Sequence, residues 1–354
     1  MRTEPEEGRE ISNHPRGASL KIIKGTISAL LIMTLGLPLS AQAIKFKIAT
    51  IAPDGTSWMR AMRQGAKEVA ERTQNRVTLT FYPGGVMGND KSVLRKLRIG
   101  QLHGGAITAG GLANIYPDIQ VYSLPFLFRS LVEVDYVRSK MDPLLTSGLL
   151  DKGYVSYGIS EGGFAYLMTQ QPIKQVSDLQ QQKIWSPEGD QISYKSFSAI
   201  GVSAVPLPLA DVLTGLQTGL IDSVSTSPVG AIALQWHTRV RHVTDIPLLY
   251  LYGTLIIKQT ALNKISPQDR NTLREIMEAT FKQLNRKNRQ DNQSARKALK
   301  QQGIRFNQPQ TEHPEQWQEM FNTVRETIDQ DSNLSSEALE QIKLHLAEIR
   351  AKGS

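Results

Sequence analysis

The stretch from Lys183 to Pro228 decides the fold: Lys183–Asp190 reads KIWSPEGD and Ser203–Pro228 reads SAVPLPLADVLTGLQTGLIDSVSTSP. Its pattern predicts strand, helix, strand, helix, strand. Ala204-Val205-Pro206 closes a strand. Leu209, Val212, Leu213, Leu216 and Leu220 then recur at helical spacing, which makes one face of the segment apolar. Gly219 supplies the helix stop, where a left-handed residue costs glycine nothing. Leu220-Ile221 opens the next strand, which ends in Ser225, Thr226, Ser227 and Pro228. Parallel strands joined in this way place their carboxyl ends along one crevice, where small ligands sit. The stretch is expected to form one wall of a binding cleft.

Working outward, a first α/β unit opens with a strand at Lys45–Ile51. A helix follows with Trp58, Met59, Met62, Ala66, Val69 and Ala70 on one face. Val77–Tyr82 is a second strand, Pro83-Gly84-Gly85 a turn, Asp90–Ile99 a short basic helix and Gly104–Thr108 a buried strand. Tyr154–Ser160 and Ala165–Thr169, on either side of Glu161-Gly162-Gly163, read as a first crossing into a second unit, and Val243–Ile257 as the return. Two crossings make each domain discontinuous: 44–163 with 246–305, and 164–245. That arrangement suits hinge closure about a ligand. Ser266-Pro267 starts a helix that runs through Leu273, Ile276, Met277, Phe281 and Leu284. Two amphipathic helices, from Pro314 and Ser335, complete a C-terminal segment 306–354 outside the domains.

From Phe46 to about Asn307 the chain resembles the substrate-binding subunits of tripartite ATP-independent periplasmic (TRAP) transporters. The resemblance rests on IATIAPDGTSW (Ile48–Trp58), YPGGVMG (Tyr82–Gly88), IGQLHGGAITAG (Ile99–Gly110), LPFLF (Leu124–Phe128) and the PLPLADV…LQTG helix followed by Ile221-Asp222. It implies a periplasmic-binding-protein-like fold, an organic-acid ligand and a membrane permease as partner. One departure stands out. Most of that family carries an arginine two positions after the strand lysine, where it grips the ligand carboxylate; here that position is Trp185.

Bulk properties set the class. The 354 residues suffice for two domains, and 40% hydrophobic content fits a globular protein. Lys21 and Lys24, the apolar run Ile27–Leu39 and Ala41-Gln42-Ala43 read as a signal peptide, 1–43, with cleavage after Ala43. The apolar run is too short to favour anchoring. Removing it takes away five Lys/Arg and four Asp/Glu, so the formal charge falls from +8 to about +7. That excess is scattered, without aromatic interleaving, which argues against nucleic acid. The chain has no cysteine, hence neither disulfides nor a lipid-bearing N-terminal cysteine.

Enzyme signatures are missing. None of the six histidines stands in an H-E-x-x-H spacing, His237 and His242 are five apart, and no G-x-S-x-G elbow occurs. No metal site or cofactor is expected. The ligand-binding candidates line the predicted crevice, and each has a structural alternative. Trp185 either faces the ligand with an apolar ring and one N–H or is buried between strand and helix. Asp190 either caps the helix from Gln191 to Ala199 or joins Glu188 in the cleft, where both would repel a bare carboxylate. Trp58 follows an anion-competent loop, or belongs to the core with Thr56 as a cap. Thr108 ends a strand at the cleft, and Phe164 and Tyr166 line its floor. Ser225, Thr226 and Ser227 stand where many family members carry an Asn-Pro pair, so a hydroxyl replaces the amide donor. Arg129 is the nearest replacement cation.

The expectation is a periplasmic solute receptor that closes on one small ligand with a substantial apolar or aromatic part. A sensor subunit reporting to a membrane receptor kinase is the rival, and an enzyme comes third.

Overall fold

The computed structural model describes residues 43–308 and 314–352; the expected signal peptide lies outside the described residues. Strand β1 (Ile44–Thr50) buries Phe46 and Ile48 and is followed by α1 (Ser57–Arg72), whose first turn is capped by the Thr56 hydroxyl accepting from Met59 N–H. Then come β2 (Val77–Tyr82), α2 (Asp90–Arg98), β3 (Gly104–Thr108), the single turn α3 (Ala109–Leu112) and the long α4 (Leu131–Asp151). Strand β4 (Tyr154–Thr169) leads through α5 (Val176–Gln180), β5 (Lys183–Pro187), α6 (Gln191–Ala199), β6 (Ser203–Leu207) and α7 (Val212–Thr218) to β7 (Ser223–Thr226) and α8 (Pro228–Ala233). The chain returns along β8 (His242–Lys258), makes the turn α9 (Gln259–Leu262) and enters α10 (Pro267–Gln301). Strand β9 (Arg305–Asn307) and helices α11 (Pro314–Asp331) and α12 (Ser336–Lys352) finish it.

The nine strands of the described residues join in one sheet, ordered β2-β1-β3-β8-β4-β7-β5-β6, with β9 against β8. At 16 and 17 residues, β4 and β8 are some three times the usual strand length, and they pair antiparallel along the sheet's middle. Their length lets each carry separate neighbours at its two ends. The first crossing is therefore one continuous strand. Register shifts between Ser156/Ile159, Glu161/Gly163 and Ala165/Leu167 bend it at the Glu161-Gly162-Gly163 segment that interrupts its apolar pattern. Gly163 there has φ +91, which a side chain would resist.

One expectation from the opening stretch is corrected. Strand β7 starts at Ser223 rather than at Leu220, whose side chain is largely exposed. The apolar helix itself begins as a 3-10 turn, Leu209–Asp211, behind Pro208, and becomes α-helical only at Val212. Gly219 does stop it, in the left-handed region at φ +75.

Packing follows the sheet's two ends. Helices α1 and α10 cover β1 and β2 with Met62, Val69, Ile276 and Phe281. At the other end Trp185, Val212, Leu216, Val224 and Trp236 form a separate core, with Leu299 of α10 in it. The 35-residue α10 is about 50 Å long and so reaches both. Its start is as the sequence predicts: the Ser266 hydroxyl accepts from Asp269 N–H, and Pro267 stands in the first turn. Helix α11 packs on α6 and α12 on α4, so the C-terminal helices touch both ends.

Candidate functional site

Strand directions create a crevice. Strand β3 pairs with β8 so that it ends at Thr108 opposite Gly253, while β7 pairs with β4 and ends at Thr226 opposite Tyr166. Both run toward the middle of the β4–β8 ladder. Strands β1 and β2 are parallel to β3, and β5 and β6 belong to the parallel set of β7. Two sets of carboxyl ends therefore face each other across Glu161–Phe164 and Tyr250–Tyr252. Loops at such ends are the usual ligand site of open α/β sheets.

The loops touch. Asn89, just after the β2 turn, donates its Nδ2 to Glu188 Oε2 at 3.0 Å. Gln120 donates its Nε2 to Asp190 Oδ1 at 3.2 Å. A Cβ on Gly110 would lie 3.4 Å from Asp190 Cβ, so the two loops approach to van der Waals distance there.

Several of the sequence candidates act as caps. Asp190 accepts from Ser193 N–H at 3.2 Å and from its hydroxyl at 2.7 Å, which fixes the start of α6. Ser227 accepts from Gly230 N–H at the head of α8, and Thr108 from Gly111 N–H at α3. Capping holds these residues at the crevice rim with a defined geometry. Thr226 is buried beside Gly230, where any side chain would collide with its hydroxyl at 2.4 Å. Trp58 is half-buried against the α1–β2 core, edge-on to Phe81 at 6.2 Å. Phe164 meets Tyr250 edge-on at 5.7 Å, and the Arg296 guanidinium lies 5.7 Å from the Tyr166 ring centre. Arg129 is exposed.

Trp185 is 7% exposed. Its Nε1 donates to Leu207 O at 3.0 Å, and its ring packs edge-on against Trp236 at 5.0 Å. In this conformation the indole N–H is occupied and the ring is enclosed by the α7 core.

Two residues outside the sequence candidates, Asp90 and Ser186, join the candidate Ser225 at the site. Asp90 Oδ2 accepts from Thr108 N–H at 3.1 Å and from its hydroxyl at 2.6 Å, which ties the β2–α2 turn to the β3 end. Gly111 is required by this contact, because a Cβ would fall 2.3 Å from that same oxygen. Asp90 Oδ1 is buried with no partner, and burial pushes the carboxyl pKa up against the pull of Thr108. Ser186 is fully buried and its hydroxyl has no partner; nor has that of Ser225. Ile184 stands opposite Ser223, so two residues further along Ser186 and Ser225 come level on the same face of β5 and β7. Among the described residues four buried side-chain polar atoms lack partners, and these three belong to the crevice loops and strand ends. Orphaned buried groups are costly, and ligand sites are where they are tolerated.

Under the crevice floor Glu161 accepts from Arg289 Nε at 2.7 Å and from the Tyr250 hydroxyl, with Arg138 Nη1 at 3.5 Å. Burial is the main cause that raises the Tyr250 pKa, so its phenol stays protonated and donates. No trio of His, Cys, Asp or Glu able to hold a metal occurs among the described residues. No described helix is long and apolar enough to cross a membrane. An apolar recess lined by Phe126, Leu248, Phe197, Met320 and Phe321 lies between α6 and α11, apart from these polar atoms.

Residues 48–331 match the model of the bacterial extracellular solute-binding protein family 7, DctP, and the chain belongs to that family. It is thus a periplasmic solute-binding protein of the TRAP type and not an enzyme. The C4-dicarboxylate-binding periplasmic protein DctP of Rhodobacter capsulatus is 23% identical over 326 residues, 90% of this chain and 96% of that one. The uncharacterized protein YiiZ of Salmonella typhimurium is 25% identical over 61% of this chain, a match spanning 65% of YiiZ. A TRAP solute-binding protein of Xanthobacter autotrophicus Py2, solved with bound β-D-galacturonate, superposes with a TM-score of 0.78. It is 18% identical, and the match covers 85% of this chain and 99% of that one.

Proposed function

We propose that this chain delivers a small organic acid to a TRAP permease and binds it through donor groups on the ligand rather than through an arginine clamp. The observation that carries this reading is the trio of unpartnered buried oxygens, Asp90 Oδ1, Ser186 Oγ and Ser225 Oγ. A carboxylate oxygen can only accept, so the group it meets must donate: a hydroxyl, an amine or an amide. The serine hydroxyls can donate in turn, and would hold the acid end without a cation. Relatives support the acid itself, since one is a C4-dicarboxylate-binding protein and one was solved with galacturonate. Trp185 stands where the resemblance implies arginine, so bidentate recognition of a carboxylate has no donor there. Phe164, Tyr166 and Trp58 are half-buried and offer surfaces for the ligand's apolar part. The domains then close about the bent middle of β4, and the Asn89–Glu188 contact is one that opening must break.

A melting screen of hydroxy acids, uronic acids, amino acids and aromatic acids tests the reading. The cognate ligand at a hundred times its dissociation constant should stabilise the protein by about 2.7 kcal/mol. Asp90→Ala should remove about 1.5–3 kcal/mol of binding, the worth of a hydrogen bond to a charged group. If unsubstituted dicarboxylates such as succinate bind tightly and Asp90→Ala leaves affinity unchanged, the donor-group reading fails.

A further inference from the structure

The amino end of β3 carries a second charged surface, remote from the crevice at its carboxyl end. His103 precedes β3; its Nδ1 accepts from Lys47 N–H at 2.9 Å and its carbonyl accepts from Lys258 N–H at 2.9 Å. Lys258 Nζ reaches Arg98 O at 3.4 Å at the end of α2. Burial above all, with the nearby Lys264 and Lys47 charges, holds the His103 imidazole below its usual pKa. Lys47, Arg95, Arg98 and Lys264 are exposed. None of these four, nor Lys258, is recorded in an ion pair among the described residues, although Arg63, Arg72, Arg76, Arg138, Arg289 and Arg296 all are. Asp151, at the adjoining end of α4, is matched by Lys152 beside it. Ile99, the residue that ends α2, follows Arg98 directly, stands one helical turn after Arg95 and is 64% exposed.

We infer that this face rests on an anionic phospholipid surface, with Ile99 dipping into the headgroup boundary and the cations around it meeting lipid phosphates. A single apolar tip within a rim of long, unpaired cations is the pattern of an interfacial contact. A protein partner would instead call for a packed apolar centre, which the face lacks. A free anion would need converging donors in a recess, whereas these side chains spread over an open surface. Because the crevice lies at the other end of β3, protein held in this way keeps its ligand site open to the periplasm.

The test is co-sedimentation of the protein with phosphatidylcholine vesicles containing about 30% phosphatidylglycerol, and with phosphatidylcholine alone, at low and high salt. Wild-type protein should bind the anionic vesicles, ignore the neutral ones and be released by high salt. Arg95→Glu with Arg98→Glu should weaken binding by at least about 25-fold, roughly fivefold per cation. Ile99→Ser should weaken it further, and neither variant should move the melting temperature much, because the three side chains are exposed. Absence of anionic-vesicle binding, or equal binding by the charge-reversed variant, overturns the proposal. Binding that appears only on vesicles carrying the permease subunits assigns the face to a protein and overturns it too.

Discussion

Glu161→Ala should destabilise the protein by about 2–3 kcal/mol, because it strips charge-assisted hydrogen bonds from Arg289 and Arg138 and leaves them with Asp135 and Asp142 as counter-charges. The Glu161 side chain is 1% exposed and that of Arg138 10%. Arg289 bonds Glu161 through Nε and Nη2, at 2.7 and 3.0 Å, and Tyr250 donates its hydroxyl to the same carboxylate. The backbone of Glu161 is held as well: its N–H donates to Asn285 Oδ1 at 3.0 Å and its carbonyl accepts from Asn288 at 2.6 Å. The residue therefore fastens the bent middle of β4 to α4, β8 and α10 at once. Denaturant unfolding measures the cost. Glu161→Gln should fall between alanine and wild type, since it keeps the shape and one acceptor but loses the charge. A loss below about 1 kcal/mol for the alanine variant would mean that the pair is screened as a surface bridge is.

Trp185→Ala should cost more, about 3–5 kcal/mol, the range for truncating a large aromatic in a core. Trp236, Val212 and Leu216 enclose the ring, and Leu207 O would lose its donor. Trp185→Arg should be at least as damaging, because it places a charge in that enclosure without a partner. Affinity measured per folded molecule should change less in Trp185→Ala than in Asp90→Ala. A variant that melts normally yet fails to bind would put the ring against the ligand instead.

Much of the architecture was legible because each local signal agreed with the next. Alternation in Val77–Tyr82, the Ser266-Pro267 start and the Gly219 stop each have one cause and one outcome. The length of β8 was visible as the apolar run Val243–Ile257, whereas β4 read as two pieces on either side of Glu161-Gly162-Gly163 and only the structure shows one strand. The face of Trp185 was not legible. Both faces of β5 are covered, so alternation cannot tell the core from the crevice. Asp90 was hidden for another reason. An acidic residue in a helix's first turn reads as dipole compensation, and only the fold brings Thr108, eighteen positions away, onto its second oxygen. The orphaned hydroxyl of Ser186 likewise has no sequence signal, since partners are a tertiary property. Leu220 misled because Leu220-Ile221 reads as an apolar strand opening, whereas only Ile221 is buried and strand pairing starts at Ser223.

The central claim is that one small solute is captured in the crevice through Asp90. Native mass spectrometry of protein purified from its own periplasm, wild type beside Asp90→Ala, tests it most directly. The account predicts one adduct with the mass of a small organic acid on the wild type and its loss from the variant, with both proteins folded by circular dichroism. An adduct retained equally by Asp90→Ala, or a wild-type protein that neither carries nor takes up any organic acid, would contradict it.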